Sequence, residues 1–335
     1  MSATKKNPTI YDVAERSGSS ISTISRVLNS PDKVNVVTRQ RILEVIDELG
    51  FVPKADARAR ALRLNGRIGV ITPFFTAPSF VQRLRGLAGE LSKKNYDLVI
   101  YTVDSVDRLH SYLSSLPLTG NLDGLVIISL PVEDADVNRL LKHNIPTVLI
   151  EFPHPELNGV EIDDVGGGRM AAEYLIAKGH RRIAFLGDTD LPEYAIHPVS
   201  LRLVGFRHAL QEAGIALPDE FVRLSPYTME QTRHVAIELL HTSNPPTAVF
   251  AATDFQALGV IKAARQIGVK VPEQLAVIGF DDIDIADYAD LTTIRQHLEE
   301  SGRLAIEILF AHIADPSRPS QHVNLPLTVV ERLSA

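Results

Sequence analysis

Seven short apolar runs constrain most of this chain: Ile68–Thr72, Leu98–Thr102, Leu125–Ser129, Thr147–Glu151, Arg182–Gly187, Thr247–Ala252 and Leu275–Phe280. Helical stretches separate them. Phe80–Lys94, Leu109–Leu116 and Asp136–His143 belong to a first series. Gly168–Ala177, Leu201–Ala213, Glu230–His241 and Phe255–Ile267 belong to a second that begins near Gly159. In Phe80–Lys94, the residues Val81, Leu84, Leu87, Ala88 and Leu91 are expected on one apolar face. β-Rich runs buried on both sides, each followed by an amphipathic helix, are the pattern of parallel sheets. Roughly one hundred residues per series suits two similar lobes better than one large sheet. The end of the chain, Ile294 to Val330, adds a long helix, Leu304–Ala314, and reads as closing on one final strand, VNLPLTVVE. The expected fold class of this body is α/β, two doubly wound parallel-sheet lobes.

The first fifty residues follow a different period. In TIYDVAERSGSSISTISRVL, Ile10, Val13 and Ala14 recur at i, i+3, i+4, and so do Ile24, Val27 and Leu28, so two short helices each have one apolar face. Gly18 supplies the φ > 0 position that a sharp reversal between them needs. Thr9 with Asp12 reads as a capping box, and Ser20 as the N-cap of the second helix. A third helix from about Asn35 to Leu49 turns Ile42, Val45, Ile46 and Leu49 inward. With its inner face spent on packing, the second helix presents Ser22, Ser25, Arg26 and Asn29 outward, groups suited to major-groove edges. Three helices in this arrangement make an all-α helix-turn-helix head.

Charge supports the division. The net charge is −7, yet residues 1–67 hold 12 Lys+Arg against 7 Asp+Glu while the remainder holds 22 against 34. A basic head on an acidic body confines phosphate contact to the head. Between them, Lys54 to Arg67 is rich in alanine and arginine. Pro53 can start a helix there, and at that length a helix orders only against a partner. Lys54, Arg58, Arg60, Arg63 and Arg67 give this hinge the charge to lie on DNA, a solvated linker being the alternative. Cysteine is absent, which excludes disulfides, thiolate catalysis and cysteine-ligated zinc. Neither a signal peptide nor a long apolar run is present, so the expected location is cytoplasmic.

Ligands of open parallel sheets sit beyond the carboxyl ends of the strands. Those ends offer Phe74 and Phe75, Glu151, Thr253-Asp254 and Asp281-Asp282, and Arg202 opens the helix after Arg182–Gly187. Rings, carboxylates and an arginine converging on a cleft suit a polyhydroxylated ligand. For Asp254 and Asp282 taken singly, helix N-capping is the favoured expectation; Glu151, Arg202 and Asp281 are the stronger candidates. Enzyme signals fail. Gly166-Gly167-Gly168 is not G-x-G-x-x-G, and neither a GxxxxGK[ST] loop nor an HExxH pair occurs. The eleven histidines are scattered; His180 is expected in a surface turn and His197 and His208 at solvated positions. No catalytic residue, metal or cofactor is assigned.

The head IYDVAERSGSSISTISRVLN, the hinge, and the segments IDDVGGGRMAAEYLIAKGHRRIAFLG, AVFAATDFQALGVIKAA, LAVIGFDDIDIADYADLTTIRQ and LPLTVVERLSA resemble the lactose/galactose-repressor family of bacterial transcription regulators. The resemblance covers nearly the whole chain, with its motifs in the family's order. It implies a homodimer on a pseudo-palindromic operator, a hinge helix, and a periplasmic-binding-protein-like core whose small effector, favoured to be sugar-like, sets DNA affinity. Repression is the expected direction. Domain limits on this reading are 1–52 for the head, 53–66 for the hinge, 67–164 with 295–325 for one lobe, and 165–294 with 326–335 for the other.

By the family pattern Ile21, Ser22 and Arg26 read bases, within a DNA-contacting set of Thr9, Tyr11, Ser20, Ile21, Ser22, Ser25, Arg26, Asn29, Lys54, Ala57, Arg58 and Arg60. Effector contacts fall on Phe74, Phe75, Glu151, Arg202, Tyr227, Thr253 and Asp281. The chain departs from the pattern at Thr253, often asparagine in the family, and at Lys54. It departs also at Arg60, where the family places the leucine that wedges between base pairs. The chain stops at Ala335 without a heptad tail, which speaks against a coiled-coil tetramer. A solute-binding protein, a sugar-modifying enzyme and an architectural DNA protein are the rival classes. The effector class stays open among a sugar, a nucleobase and a protein co-regulator.

Overall fold

A computed structural model describes residues 8–29, 33–49, 51, 65–189 and 192–335. The chain divides into two compact units, Met1–Asn65 and Gly66–Ala335. The first holds α1 (Ile10–Ser17), α2 (Ile21–Asn29) and α3 (Val36–Leu49). Asp12 caps α1, its carboxylate accepting both the backbone N–H and the hydroxyl of Thr9 at 2.6 Å. Gly18, at φ 63°, ends it. The Ser20 hydroxyl accepts from the Thr23 N–H at 3.2 Å, and Asn35 does the same for Val37 at 2.9 Å. Val13, Ile24, Val27, Ile42 and Val45 form the buried centre, with Ile46 and Leu49 packed against it.

The second unit begins with β1 (Arg67–Thr72), α4 (Pro78–Lys93), β2 (Asp97–Thr102), α5 (Val106–Thr119), β3 (Gly124–Ile128), α6 (Asp134–Lys142), β4 (Thr147–Ile150) and β5 (Asn158–Ile162). It continues with α7 (Asp164–Ala177), β6 (Ile183–Asp188), α8 (Pro198–Glu212), β7 (Val222–Ser225), α9 (Met229–Leu240), β8 (Ala248–Ala251), α10 (Asp254–Gln266) and β9 (Ala276–Asp281). After α11 (Asp284–Tyr288), β10 (Thr292–Arg295) and α12 (Leu298–Ala314) come two short strands, β11 (His322–Leu325) and β12 (Thr328–Val330). One sheet has the order β11-β5-β4-β3-β1-β2 and is parallel throughout. The other, β12-β10-β9-β8-β6-β7, is parallel except where β12 runs against β10. The core is thus a two-lobe α/β body, and the chain passes between its sheets three times, after Ile162, Arg295 and Leu325.

Three expectations need correction. VNLPLTVVE is two strands in two sheets, because Pro326 has no N–H to continue a ladder, and Leu325 and Leu327 bury in different cores. Next, α4 is rotated from its expected face. Val81 and Ala88 are exposed, while Gln82, Arg83, Gly86 and Glu90 are buried beside Leu87 and Leu91. The cause is α12. A Cβ on Gly86 would lie 1.9 Å from the Glu299 carbonyl oxygen, and one on Gly302 would lie 2.1 Å from that of Arg83. These two helices touch through backbone, which drives polar residues of α4 inward. Finally, Arg202 is the fifth residue of α8, which Pro198 opens. Within the Gly166–Gly168 triplet, Gly168 serves the same kind of contact: a Cβ there would meet the Arg202 carbonyl oxygen at 1.9 Å.

Candidate functional site

Where the carboxyl ends of both sheets face the crossovers, several non-glycine residues take positive φ: Ser129 at 54°, Glu151 at 74°, Asp281 at 122°, Asp282 at 57° and His297 at 53°. Such conformations cost free energy and persist where packing over-determines them. At Ser129, Glu151 and Asp281 they aim polar side chains into one buried network. Arg202, only 3% exposed, donates from Nε to Asp164 at 2.8 Å and from Nη1 to the Ala252 carbonyl at 2.7 Å, and Nη1 lies 3.8 Å from Asp281. Its guanidinium carbon sits 3.6 Å from the centre of the Phe280 ring, a close cation–π contact. Gln296 donates to Asp281 and accepts from Arg83 at 2.9 Å. Arg83 Nη2 also donates to Glu151, whose second oxygen takes the Ser129 hydroxyl. A continuous chain therefore runs from Glu151 through Arg83, Gln296 and Asp281 to Arg202 and Asp164.

This environment separates the carboxyl groups electrically. Burial raises the Asp281 pKa to about 7 against the opposing charges of Arg202 and Arg83. Asp188, at the end of β6, rises to about 6, again through burial, with Arg202 and a 2.5 Å hydrogen bond from Gln256 opposing. Asp254 is raised well above the carboxylate range by burial and by the Asp281 charge. Glu151 goes the other way. Burial acts to raise it, but the Arg83 charge and the hydrogen bonds from Arg83 and Ser129 together outweigh burial and hold it low.

Phe74 and Phe75 are each 39% exposed, and Phe74 meets Phe80 edge-on at 5.9 Å. From the other lobe Tyr194 reaches Phe74 at 6.4 Å, and the Ile196 N–H donates to the Ser129 carbonyl at 3.2 Å. Tyr227 stacks on Phe255 at 5.4 Å, and burial pushes its phenol pKa up. Thr253 is the N-cap of α10, accepting from the Gln256 N–H at 3.2 Å. The capping expected of Asp254 and Asp282 is therefore wrong. Asp254 is the first helical residue, fully buried, and accepts from the Thr293 hydroxyl and from the Ile283 N–H at 2.9 Å. Asp282 pairs with Arg295 at 2.6 Å and Arg332 at 2.8 Å. Both acids have tertiary partners 13 or more residues away, which outcompete a local cap.

On the head, Tyr11, Ile21, Ser22 and Arg26 are exposed. Ser25 is half-buried, and the Thr9 hydroxyl is engaged by Asp12. Ser20 shares hydrogen bonds with Ser22 at 2.7 Å and Thr23 at 2.8 Å. The side chain of Asn29 and the hinge positions Lys54, Ala57, Arg58 and Arg60 lie outside the described residues. Sequence reasoning missed Arg83, Asp164, Asp188, Ser129, Tyr194 and Gln296. Asp188 and Ser129 stand at strand ends and were open to the same rule that found Glu151. Arg83 was not, because a helical arginine reads as solvated. Among the described residues no helix is long and apolar enough to cross a membrane.

Residues 9–54 match the model of bacterial regulatory proteins of the lacI family, and residues 172–335 match a periplasmic binding protein-like domain. The ribose operon repressor of Escherichia coli strain K12 is 32% identical over 334 residues, covering 98% of this chain and 99% of that one. A solved complex of the transcriptional regulator CelR with cellobiose shares 29% identity at a TM-score of 0.69, over 98% of this chain and 100% of the other. A lac repressor dimer bound to operator and the anti-inducer ONPF aligns at a TM-score of 0.76 and 26% identity, over 98% and 99%.

Proposed function

The chain belongs to the lacI family of bacterial regulatory proteins, and from that premise we propose how it works as a DNA-binding transcriptional regulator. It acts as a repressor, and as a homodimer it presents two heads to a pseudo-palindromic operator in the cytoplasm. The single observation that carries DNA reading is the outward row of α2. Ile24 and Val27 are spent in the core, leaving Ser22 and Arg26 on the solvent side. Arg26 reads a guanine edge and the small hydroxyls lie close to neighbouring bases. Domain limits of 1–52, 53–66, 67–164 with 295–325, and 165–294 with 326–335 fit this division of labour.

The effector is a sugar or sugar derivative held between the lobes by Glu151, Arg202, Tyr227, Thr253 and Asp281, with Phe74 and Phe75 at the mouth. Support comes from the buried donors and acceptors at the strand ends, which suit hydroxyl groups. A ligand that prefers one lobe arrangement shifts the population of the operator-competent dimer by its differential affinity. The test selects operators from random duplexes and measures their affinity with and without ribose or cellobiose. Duplex binding without sequence preference would overturn the regulator mechanism; preference that no small molecule alters would overturn the effector.

A further inference from the structure

Arg83 is the largest fully buried side chain among the described residues, 2% exposed, and it stands in mid-helix on α4. Its Nη2 serves both Glu151 and Gln296, whereas Nε and Nη1 are enclosed with no acceptor among the described residues. Buried donors without acceptors are rare, because each forfeits its hydration without return. An apolar pair at positions 83 and 151 would fill this volume with no such cost, since replacing a buried ion pair by apolar groups is often neutral or favourable. The backbone under Arg83 cannot retreat either, since Gly302 lets α12 press directly on its carbonyl. The guanidinium is thus held between the aromatic mouth, 6.0 Å from the Phe80 ring, and the carboxylate of Glu151.

The geometry points to Arg83 as an effector-selecting residue that, paired with Glu151, reads one hydroxyl of a neutral polyol. This deepens the effector reading above and rests on it. A sugar hydroxyl accepts a hydrogen bond from Arg83 while donating its own proton to Glu151, so one group satisfies both partners. The charge balance selects neutrality. Arg83 and Arg202 face Glu151, Asp164, Asp188 and Asp281, so carboxyl groups outnumber cations around the cleft even with Asp281 partly protonated. A ligand phosphate or carboxylate would add repulsion there, whereas a polyol brings donors for the acids and an acceptor for Arg83.

The experiment is a thermodynamic cycle between protein and ligand. Wild-type and Arg83→Met full-length protein are titrated calorimetrically with neutral sugars (ribose, cellobiose, glucose and galactose), with the monodeoxy analogues of whichever binds, and with glucose 6-phosphate. For one deoxy position, wild type should lose about tenfold to a hundredfold in affinity, while in Arg83→Met, where Glu151 alone still accepts from that hydroxyl, the loss should be clearly smaller. Glucose 6-phosphate should bind wild type less tightly than glucose. Equal deoxy penalties in the two proteins, or unchanged parent affinity in Arg83→Met, overturn the role of Arg83. Tighter binding of the phosphate overturns the ligand class. Silence of wild type toward every sugar overturns the effector reading itself. If Arg83→Met does not melt cooperatively, Arg83→Gln, which keeps one amide donor, enters the same cycle. Failure of both to fold makes Arg83 structural and ends the proposal.

Discussion

Arg202 and Asp164, 38 residues apart, meet at 2.8 Å where the chain first passes from one sheet to the other. Both are almost fully buried, and Arg202 also lies against the face of Phe280. The pair ties α8 to the start of α7, so a ligand group that engages Arg202 acts on the crossover as well. Desolvating two charges offsets most of their attraction, so such a pair adds little net stability, yet losing one partner strands the other.

Arg202→Ala should therefore destabilise the protein by about 3–5 kcal/mol. Combining Arg202→Met with Asp164→Asn should restore more than half of that loss. Urea unfolding of the single and double variants measures it, and additive losses would show that the two side chains do not interact. In whichever variant folds, operator binding should persist while the response to effector disappears.

Arg26→Ala should remove the preference for operator over unrelated duplex and leave effector binding intact. A guanine contact is worth about 1–3 kcal/mol of discrimination. Anisotropy titrations at fixed salt give the ratio of specific to nonspecific affinity. An unchanged ratio would falsify the base-reading role of Arg26.

Asp281, with its folded-state pKa at about 7, makes a signed contribution to stability. Its unfolded pKa is near 3.9, so between those values the folded protein holds a proton that the unfolded chain has released. The stability from this group is complete below about pH 4 and is lost as pH rises through about 7. Glu151, held low, loses its contribution only when pH falls below the ordinary carboxylate range. Asp281→Asn should flatten the decline between pH 5 and pH 8 by about 1 kcal/mol or more. Parallel stability profiles for wild type and variant would refute this placement of the proton.

Gly168→Ala should cost at least about 1–3 kcal/mol, the range for overpacked cores. Its added methyl would lie 1.9 Å from the Arg202 carbonyl oxygen, and relieving that clash moves α8 together with Arg202. Effector affinity should fall with stability. Thermal unfolding alongside calorimetry decides it, and a variant with wild-type melting would show that α7 and α8 have room to separate.

The sequence alone determined whatever depends on spacing along one element. Unbroken apolar runs named most of the strands, and i, i+3, i+4 recurrence named the first two helices of the head. Thr9, Asp12 and Ser20 set the helix starts of the head, because a cap bonds within three residues of itself. The rule that ligands gather at strand ends led to Glu151 and Asp281. Tertiary structure decided what depends on distant partners. Arg83 joined the buried network because α12 meets α4 through Gly86 and Gly302, and its partners Glu151 and Gln296 are 68 and 213 residues away. Asp254 and Asp282 gave up capping for Thr293, Ile283, Arg295 and Arg332, and the last strand was divided between two sheets. Local pattern encodes where an element lies; it carries no record of which backbone presses on it, and that pressure turned α4 and decided which charges meet in the buried network.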